Sequence, residues 1–365
     1  MESPAISPIS RLLIAALLGI LPLCAFSQRA KYSNEFLNVG VGARSIGMGK
    51  AFIASADDVT ASYWNPAGLV RLSGRYQGGI MHAPYFAGMA KFDYLGAGTR
   101  LDEDSSIGLS LLRYGVDDIP NTIDLMDPEG NIDYDRISTF SVADYAFIVS
   151  YARASPVGGL DLGGNLKVIR RTVGEFASAW GFGADIAARF MHEGWMFGAV
   201  LRDATGTFNV WQFNGEKLEI GIADSVFNRP PENSLELTIP RLYLGAARNF
   251  YISDRLSLIA ELNASFSFDG KTSAVLSSRI IGAEPVLGFE LNYGDLVYIR
   301  MGAGNLQRVT EFGNKKRIVA DPSAGVGLQL GNFYLDYALG NISPQTISLY
   351  SNIFSLRYVF GREDQ

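Results

Sequence analysis

The sequence predicts an all-β membrane protein: an antiparallel outer-membrane barrel of about fourteen strands, its lumen occupied by an N-terminal plug. Three observations predict it. Apolar and polar residues alternate with period two over segments of ten or more residues, and the connections between these segments alternate short and long. Ahead of the first segment lies a glycine-rich, Asn-Pro-containing stretch that suits neither a stable helix nor a core strand.

Composition admits this class. The chain has 365 residues, 48% hydrophobic and only 19% charged. After residue 27 no run approaches the roughly 18 consecutive apolar residues a membrane helix needs. A barrel disperses its apolar residues at every second position instead. The net charge of −6 argues against a partner held by bulk electrostatics, nucleic acid above all.

At the N-terminus, Arg11 precedes the apolar run "LLIAALLGILPLCAF", and small residues Ala25 and Ser27 stand at −3 and −1 of a cut before Gln28. This is a signal-peptide pattern. Leu23 is too large for lipoprotein processing at Cys24. Cleavage after residue 27 leaves a mature chain without cysteine, exported but not disulfide-stapled.

Residues 28–74 follow. Gly40, Gly42, Gly47 and Gly49 allow sharp turns and close backbone approach. "SADDV" is expected to start a short helix with Ser55 or Asp57 as N-cap, which also accounts for the Asp57-Asp58 pair better than a metal site does. Pro66 forbids helix at Asn65 but suits the first position of "PAGLVRL". The stretch therefore reads as a folded plug, with Trp64 as its anchor.

Residues 75–361 read as the barrel. "LSLIAELNASFSF" sets Leu258, Leu262 and their even-numbered neighbours against Glu261 and Asn263. "AWGFGADIAARF" sets Phe182 and Ile186 against Gly181, Gly183, Asp185 and Ala187. "LGFELNYG" sets Phe289 against Glu290, and "FYLDYALG" sets Leu335 against Asp336. Such strands exceed the soluble norm and match a tilted membrane strand. The apolar set is expected to face lipid. A polar lumen lined by Asp185, Arg189, Glu261, Asn263, Glu290 and Arg300 follows, and so does tolerance of Arg at Ala187 or Ser265. About fourteen segments begin near residues 75, 88, 104, 138, 158, 178, 194, 241, 255, 283, 295, 318, 332 and 350. The even connections are tight ("LDEDS", "SPVGG", "HEG", "YISDR", "YGD", "LGN"), and the odd ones include long loops. Short periplasmic turns, long extracellular loops and both chain ends in the periplasm are the expectation. The final strand "IFSLRYVF" ends in Phe360, as an outer-membrane assembly signal does. A fourteen-stranded lumen is too wide for wall side chains to fill, which leaves residues 28–74 as its filling.

"ASYWNPAGLVRL" resembles the N-terminal hatch of FadL-type transporters of hydrophobic compounds. The longer "FLNVGVGARSIGMGKAFIASADDVTASYWNPAGL" is similar to the PorV/PorQ family of Bacteroidetes-type bacteria, which shares that barrel. The resemblance is strong over about residues 35–72 and architectural beyond. It implies a hatched fourteen-stranded barrel and a role in the type IX secretion system, whose PorV members handle exported proteins bearing C-terminal signal domains. Asn65, Pro66 and Ala67 carry over from the hatch motif; Gly42, Gly47, Gly49 and Trp64 are expected plug residues on the chemistry given above. The partners implied are outer-membrane lipid, secretion-system subunits and secreted proteins. The alternative is a channel for small hydrophobic molecules.

No enzyme reading gains support. Only His82 and His192 could serve as a general base. The topology puts them at opposite ends of the barrel, and spacing gives neither a Ser or Asp partner. "GVGARSIGMGK" is neither a dinucleotide fingerprint nor a P-loop. "DLMDPEGNIDYD" lacks the EF-hand spacing and reads as a solvated loop. No cofactor or metal is expected.

Overall fold

The computed structural model describes residues 33–361 except 124, 127–130, 219, 223–224, 228–233, 269–275, 278–280, 311–315 and 341–350. The signal-peptide expectation and part of the acidic loop, Asp124 and residues 127–130, lie outside the described residues. None of the described helices is long and apolar enough to cross a membrane.

Strands β1 (Tyr76–Tyr85), β2 (Ala90–Arg100), β3 (Ser105–Asn121), β4 (Ser138–Ala154), β5 (Leu160–Val173), β6 (Ala177–His192) and β7 (Trp195–Arg202) pair in sequence, each antiparallel to the next. The connection after β7 carries β8 (Thr207–Phe213), β9 (Ile220–Ile222), β10 (Ser225–Phe227) and β11 (Leu235–Thr238). Then β12 (Arg241–Ser253), β13 (Leu256–Ser267), β14 (Leu276–Ser277), β15 (Gly282–Tyr293), β16 (Val297–Thr310), β17 (Lys316–Leu330), β18 (Phe333–Gly340) and β19 (Ser351–Phe360) continue the circuit. β19 pairs back onto β1, from Tyr76↔Phe360 to His82↔Phe354, and closes it. Setting aside β8, β11 and β14, which extend the wall, and β9 and β10, which form a separate two-stranded sheet, the closed ring has fourteen strands. Closure leaves no strand edge in need of partners that lipid cannot supply.

Turns at one end are tight. Glu193-Gly194 reverses the chain with both residues at positive φ (47° and 79°), the geometry that favours glycine. The other end carries the longer connections, with three exceptions that periodicity did not reveal: residues 86–89, 174–176 and 311–315 are also short connections. A second departure lies at the seventh wall strand. β6 pairs with β7 at its lower half and with β8 at its upper half, so β7 and β8 form one strand broken at residues 203–206. The facing strand is broken likewise, β11 pairing with β8 and β12 with β7 on either side of Ile239-Pro240. Proline supplies no ladder donor, and Asp203 and Gly206 take left-handed φ of 56° and 69°. Wall strand and loop are therefore continuous on this side.

Residues 33–72 fill the ring. They form short helical turns, Glu35–Asn38, Ala43–Gly47, Ala61–Trp64 and Pro66–Arg71. Val41, Met48, Phe52, Ile53, Trp64 and Leu69 are almost completely buried in one core cluster with inward wall residues such as Phe92, Leu112 and Ile169. The expected helix at "SADDV" does not form. Ser55 and Asp58 spend their oxygens elsewhere, and the next helix begins at Ala61 with no side-chain cap. The two ends of the wall lie at the short-turn end. Tyr76 and Phe360 are paired there, but Ser33 and Asn34 bond Asn209, Glu236 and Thr238 on β8 and β11, beyond the strand break. The start of the plug thus reaches the long-loop half of the lumen.

Candidate functional site: the plug seam and the chamber above it

The seam depends first on glycine. Gly198 and Gly245 are paired across β7 and β12, Gly288 and Gly302 across β15 and β16, and Gly325 follows on β17. A Cβ on Gly198, Gly288 or Gly302 would overlap the plug backbone between Met48 and Ala54; on Gly245 it would overlap Asn263 and press on Ile53 and Ala54, and on Gly325 it would press on Gly47. Backbone therefore lies directly on backbone. Within the plug, Gly42 (φ 87°) and Gly49 (φ 68°) supply left-handed turns. Gly47 is the helix residue that faces Gly325, where a side chain would press on Gly325 and Arg300.

Two wall carboxylates fasten this contact. Glu261 (1% exposed) accepts the backbone N–H groups of Ile53 (2.6 Å), Ala54 (2.8 Å) and Ser55 (3.1 Å), and the Ser55 hydroxyl. Three successive N–H groups converging on one carboxylate make a nest, which explains why no helix forms there. Glu290 receives Arg44 through Nε and Nη2 (both 2.8 Å) and Arg300 through Nε (2.6 Å). Arg300 continues to Asp336 (2.6 Å), and Arg44 to Asp57 (2.6 Å) and Asp58 (3.6 Å). Burial disfavours the Arg44 cation, but Asp57 and Glu290, with Asp58, more than offset it and hold its pKa well above the usual value. Burial likewise opposes ionisation of Asp58, yet Arg357, Arg44 and the Thr60 hydrogen bonds keep its pKa below the ordinary carboxylate value. The Asp57-Asp58 pair is thus an ion-pair partner of the wall and plug rather than a helix cap.

On the opposite side, Lys167 pairs with Asp185 (2.8 Å) and Asp203, and Asn165 donates to Ser62 O (2.9 Å) and Asp185 (3.0 Å). Asp185 also accepts the Asp203 N–H (2.8 Å), pinning the strand break. Arg202 donates to Leu37 O (3.3 Å) and Tyr63 O (3.0 Å) and lies between the Tyr63 and Tyr243 rings. Burial pushes the Tyr63 phenol up to about 12, so it stays neutral at physiological pH.

The remaining expected residues sit in the same seam. Asn65 accepts from Ala67 N (3.1 Å), closing the turn that Pro66 starts, and donates to Ile53 O (2.8 Å) and wall Ala188 O (3.3 Å). Trp64 donates to Val41 O (2.9 Å), with its ring beside Gly40. Arg189 (3% exposed) donates to Ala56 O (3.3 Å), and Asn263 reaches Lys50 O (3.5 Å). Asp185, Arg189, Glu261, Asn263, Glu290 and Arg300 are all buried. Arg44, Lys167 and Arg202 completed their networks without a sequence signal, because a buried cation on a strand or short turn has no distinctive spacing.

Neither histidine belongs to this seam. His82 faces outward on β1 and pairs with Asp93 on β2 (2.6 Å), a partner that cross-strand register supplies and sequence spacing conceals. His192 stands at a tight turn beside Glu193 (3.8 Å).

Above the plug a chamber of about 610 Å³ opens toward the long-loop end. Tyr63, Trp64 and Val286 contribute apolar surface, but Lys50, Glu284 and Asp321 also line it, as does the Arg241–Glu35 pair (2.9 Å).

A closed ring of this strand number, sealed by its own N-terminal segment, defines a FadL-like outer-membrane barrel. Solved structures share the architecture: the CymD monoaromatic hydrocarbon channel (14% identity, 88% of this chain and 97% of that one, TM-score 0.54), the Pseudomonas putida toluene transporter TodX (12%, 87% and 96%, 0.53) and the Ralstonia pickettii toluene transporter TbuX (14%, 88% and 98%, 0.53). No curated protein matches the sequence. The model of the type IX secretion system protein PorV matches residues 28–219. The chain belongs to the PorV family.

Proposed function

We propose that this barrel is a non-conducting type IX secretion component that binds secreted proteins or partner subunits at its long-loop face. Residues 28–74 act as its hatch and residues 75–361 as its wall. One observation carries this reading: the lumen is closed by a plug fastened through buried Glu261 and Glu290, and the space left above it is charged. A site for hydrophobic small molecules is mainly apolar with a few polar anchors. Lys50, Glu284, Asp321, Arg241 and Glu35 around one chamber suit polypeptide groups better. Asp185, Arg189, Asn263 and Arg300 then serve to hold the plug in place, not to meet cargo. No residue is assigned a catalytic role. The short-turn end faces the periplasm and the long-loop end the exterior, after export by the signal peptide.

Cells lacking the chain are expected to retain in the periplasm those proteins that carry C-terminal signal domains, and the purified barrel to recover such a protein. Normal secretion in the deletion strain would overturn the proposal. The fold likeness to hydrocarbon channels supports the second reading, uptake of small hydrophobic compounds. Under that reading the deletion would slow entry of toluene and leave secretion intact.

A further inference from the structure

The outer wall is not uniformly apolar. On β13 the outward positions Leu256, Leu258, Ala260, Leu262, Ala264 and Phe266 are all apolar. Six such positions span about 34 Å, close to what an apolar band of about 25 Å needs at a tilt near 40°. On β3 the outward apolar run is only Ile107, Leu109 and Leu111, about 13 Å, before Arg113. β1 and β2 stop at the same row, where Ile80, Leu95 and Leu111 are in register.

The next row toward the long-loop end is charged. His82, Asp93 and Arg113 stand opposite one another on β1, β2 and β3. His82 Nδ1 lies 2.6 Å from Asp93, Asp93 lies 3.8 Å from Arg113, and Asp117 joins Arg113 to Lys91 (both 3.1 Å). The His82 and Lys91 side chains remain about half exposed (55% and 45%). Two carboxylates face an ammonium with three donors and a guanidinium with five, in a row that continues as apolar Phe354, Tyr337, Val326 and Ile299 from β19 to β16. Beside this ladder an apolar groove of about 600 Å³ runs across the outer surface of β17, β18, β19 and β1. It lies between the row of Ile80, Leu356 and Leu335 and the row of Phe354, Tyr337 and Val326, and His82 and Asp93 close its end.

We infer that this face holds an anionic, phosphate-bearing lipid of the outer leaflet: an acyl chain lies in the groove and phosphate oxygens take further donors of Lys91 and Arg113. The headgroup then sits deeper here than beside β13. Cationic donors in a low-dielectric setting call for charged acceptors, and the groove has the volume for a hydrocarbon chain.

The test places the full barrel in phosphatidylcholine nanodiscs doped with phosphatidylglycerol or lipid A, and reads retained lipid by native mass spectrometry after detergent extraction. The wild type should keep an anionic lipid in preference to phosphatidylcholine. Lys91→Ser with Arg113→Ser should lower that retention about tenfold, the scale of one charge-assisted contact, and Leu335→Trp should lower it by blocking the groove, with both proteins still heat-modifiable on gels. Equal retention of phosphatidylcholine and the anionic lipids by the wild type would overturn the inference, and this arm stands even if a variant fails to assemble. So would undiminished retention in the ladder variant, or displacement of the lipid by millimolar inorganic phosphate alone, which would leave the groove without a role.

Discussion

Glu261 concentrates more of the plug's attachment than any other side chain. It satisfies three backbone donors and one hydroxyl at a buried position. Glu261→Ala leaves those N–H groups unpaired, at about 1–3 kcal/mol for each buried donor that cannot find water. Denaturant titration of the folded barrel should register a loss of roughly 3 kcal/mol or more, where an exposed Glu such as Glu193 should register almost none. Asp58 adds a pH dependence with a defined sign. Its folded pKa is depressed, so its contribution is complete above the ordinary carboxylate value of 3.8 and is lost as pH falls further through the folded value. Protease sensitivity of residues 33–72 should accordingly rise only below about pH 4, and Asp58→Asn should remove part of that acid response.

At the scale of single strands, lipid-facing and inward positions can be told apart by substitution. Ile186→Arg and Leu262→Arg face outward and should each cost roughly 2–4 kcal/mol near the midplane, measured by folding into lipid vesicles. Ser265→Arg, lining the chamber, should cost much less. Ala187 is not the permissive control that alternation implies, because it is 3% exposed and packed into the plug core. An Arg there has no room. Period two establishes which side of the wall a residue faces, and that much was legible along every long strand. What waits on that side is set by chain hundreds of residues away, and no period reports it. The same limit hid the pairing of His82 with Asp93. At "SADDV", local capping chemistry was legible, but the oxygens that would cap a helix are held by Glu261, Arg44, Arg357 and Thr60. The strand break at 203–206 had no signal beyond a loop-like "DATG", since both halves alternate correctly.

Over the whole molecule the plug is the segment that occupies the ring. Deleting residues 33–72 removes the segment that occupies the ring, so single-channel conductance in planar bilayers should rise well above that of the intact protein. Heat-modifiable migration should persist, because strand pairing from β1 to β19 does not pass through the plug. Unchanged conductance would place the barrier elsewhere. The number of strands, their facing and the existence of a lumen filling could be read from sequence, because each follows from repeated local chemistry. The fastening could not, because its partners lie about 200 residues apart, as Ile53 and Glu261 do.

That separation also orders events in time. The plug is synthesised first, yet its nest at Ile53–Ser55 has nothing to grip until β13 is in place, and Gly302 and Gly325 arrive later still. Contacts so distant in the chain form slowly. Pulse proteolysis during refolding into vesicles should find the strands protected before Trp64 and Arg44 are, the N-terminal segment remaining open to cleavage until the ring has closed around it.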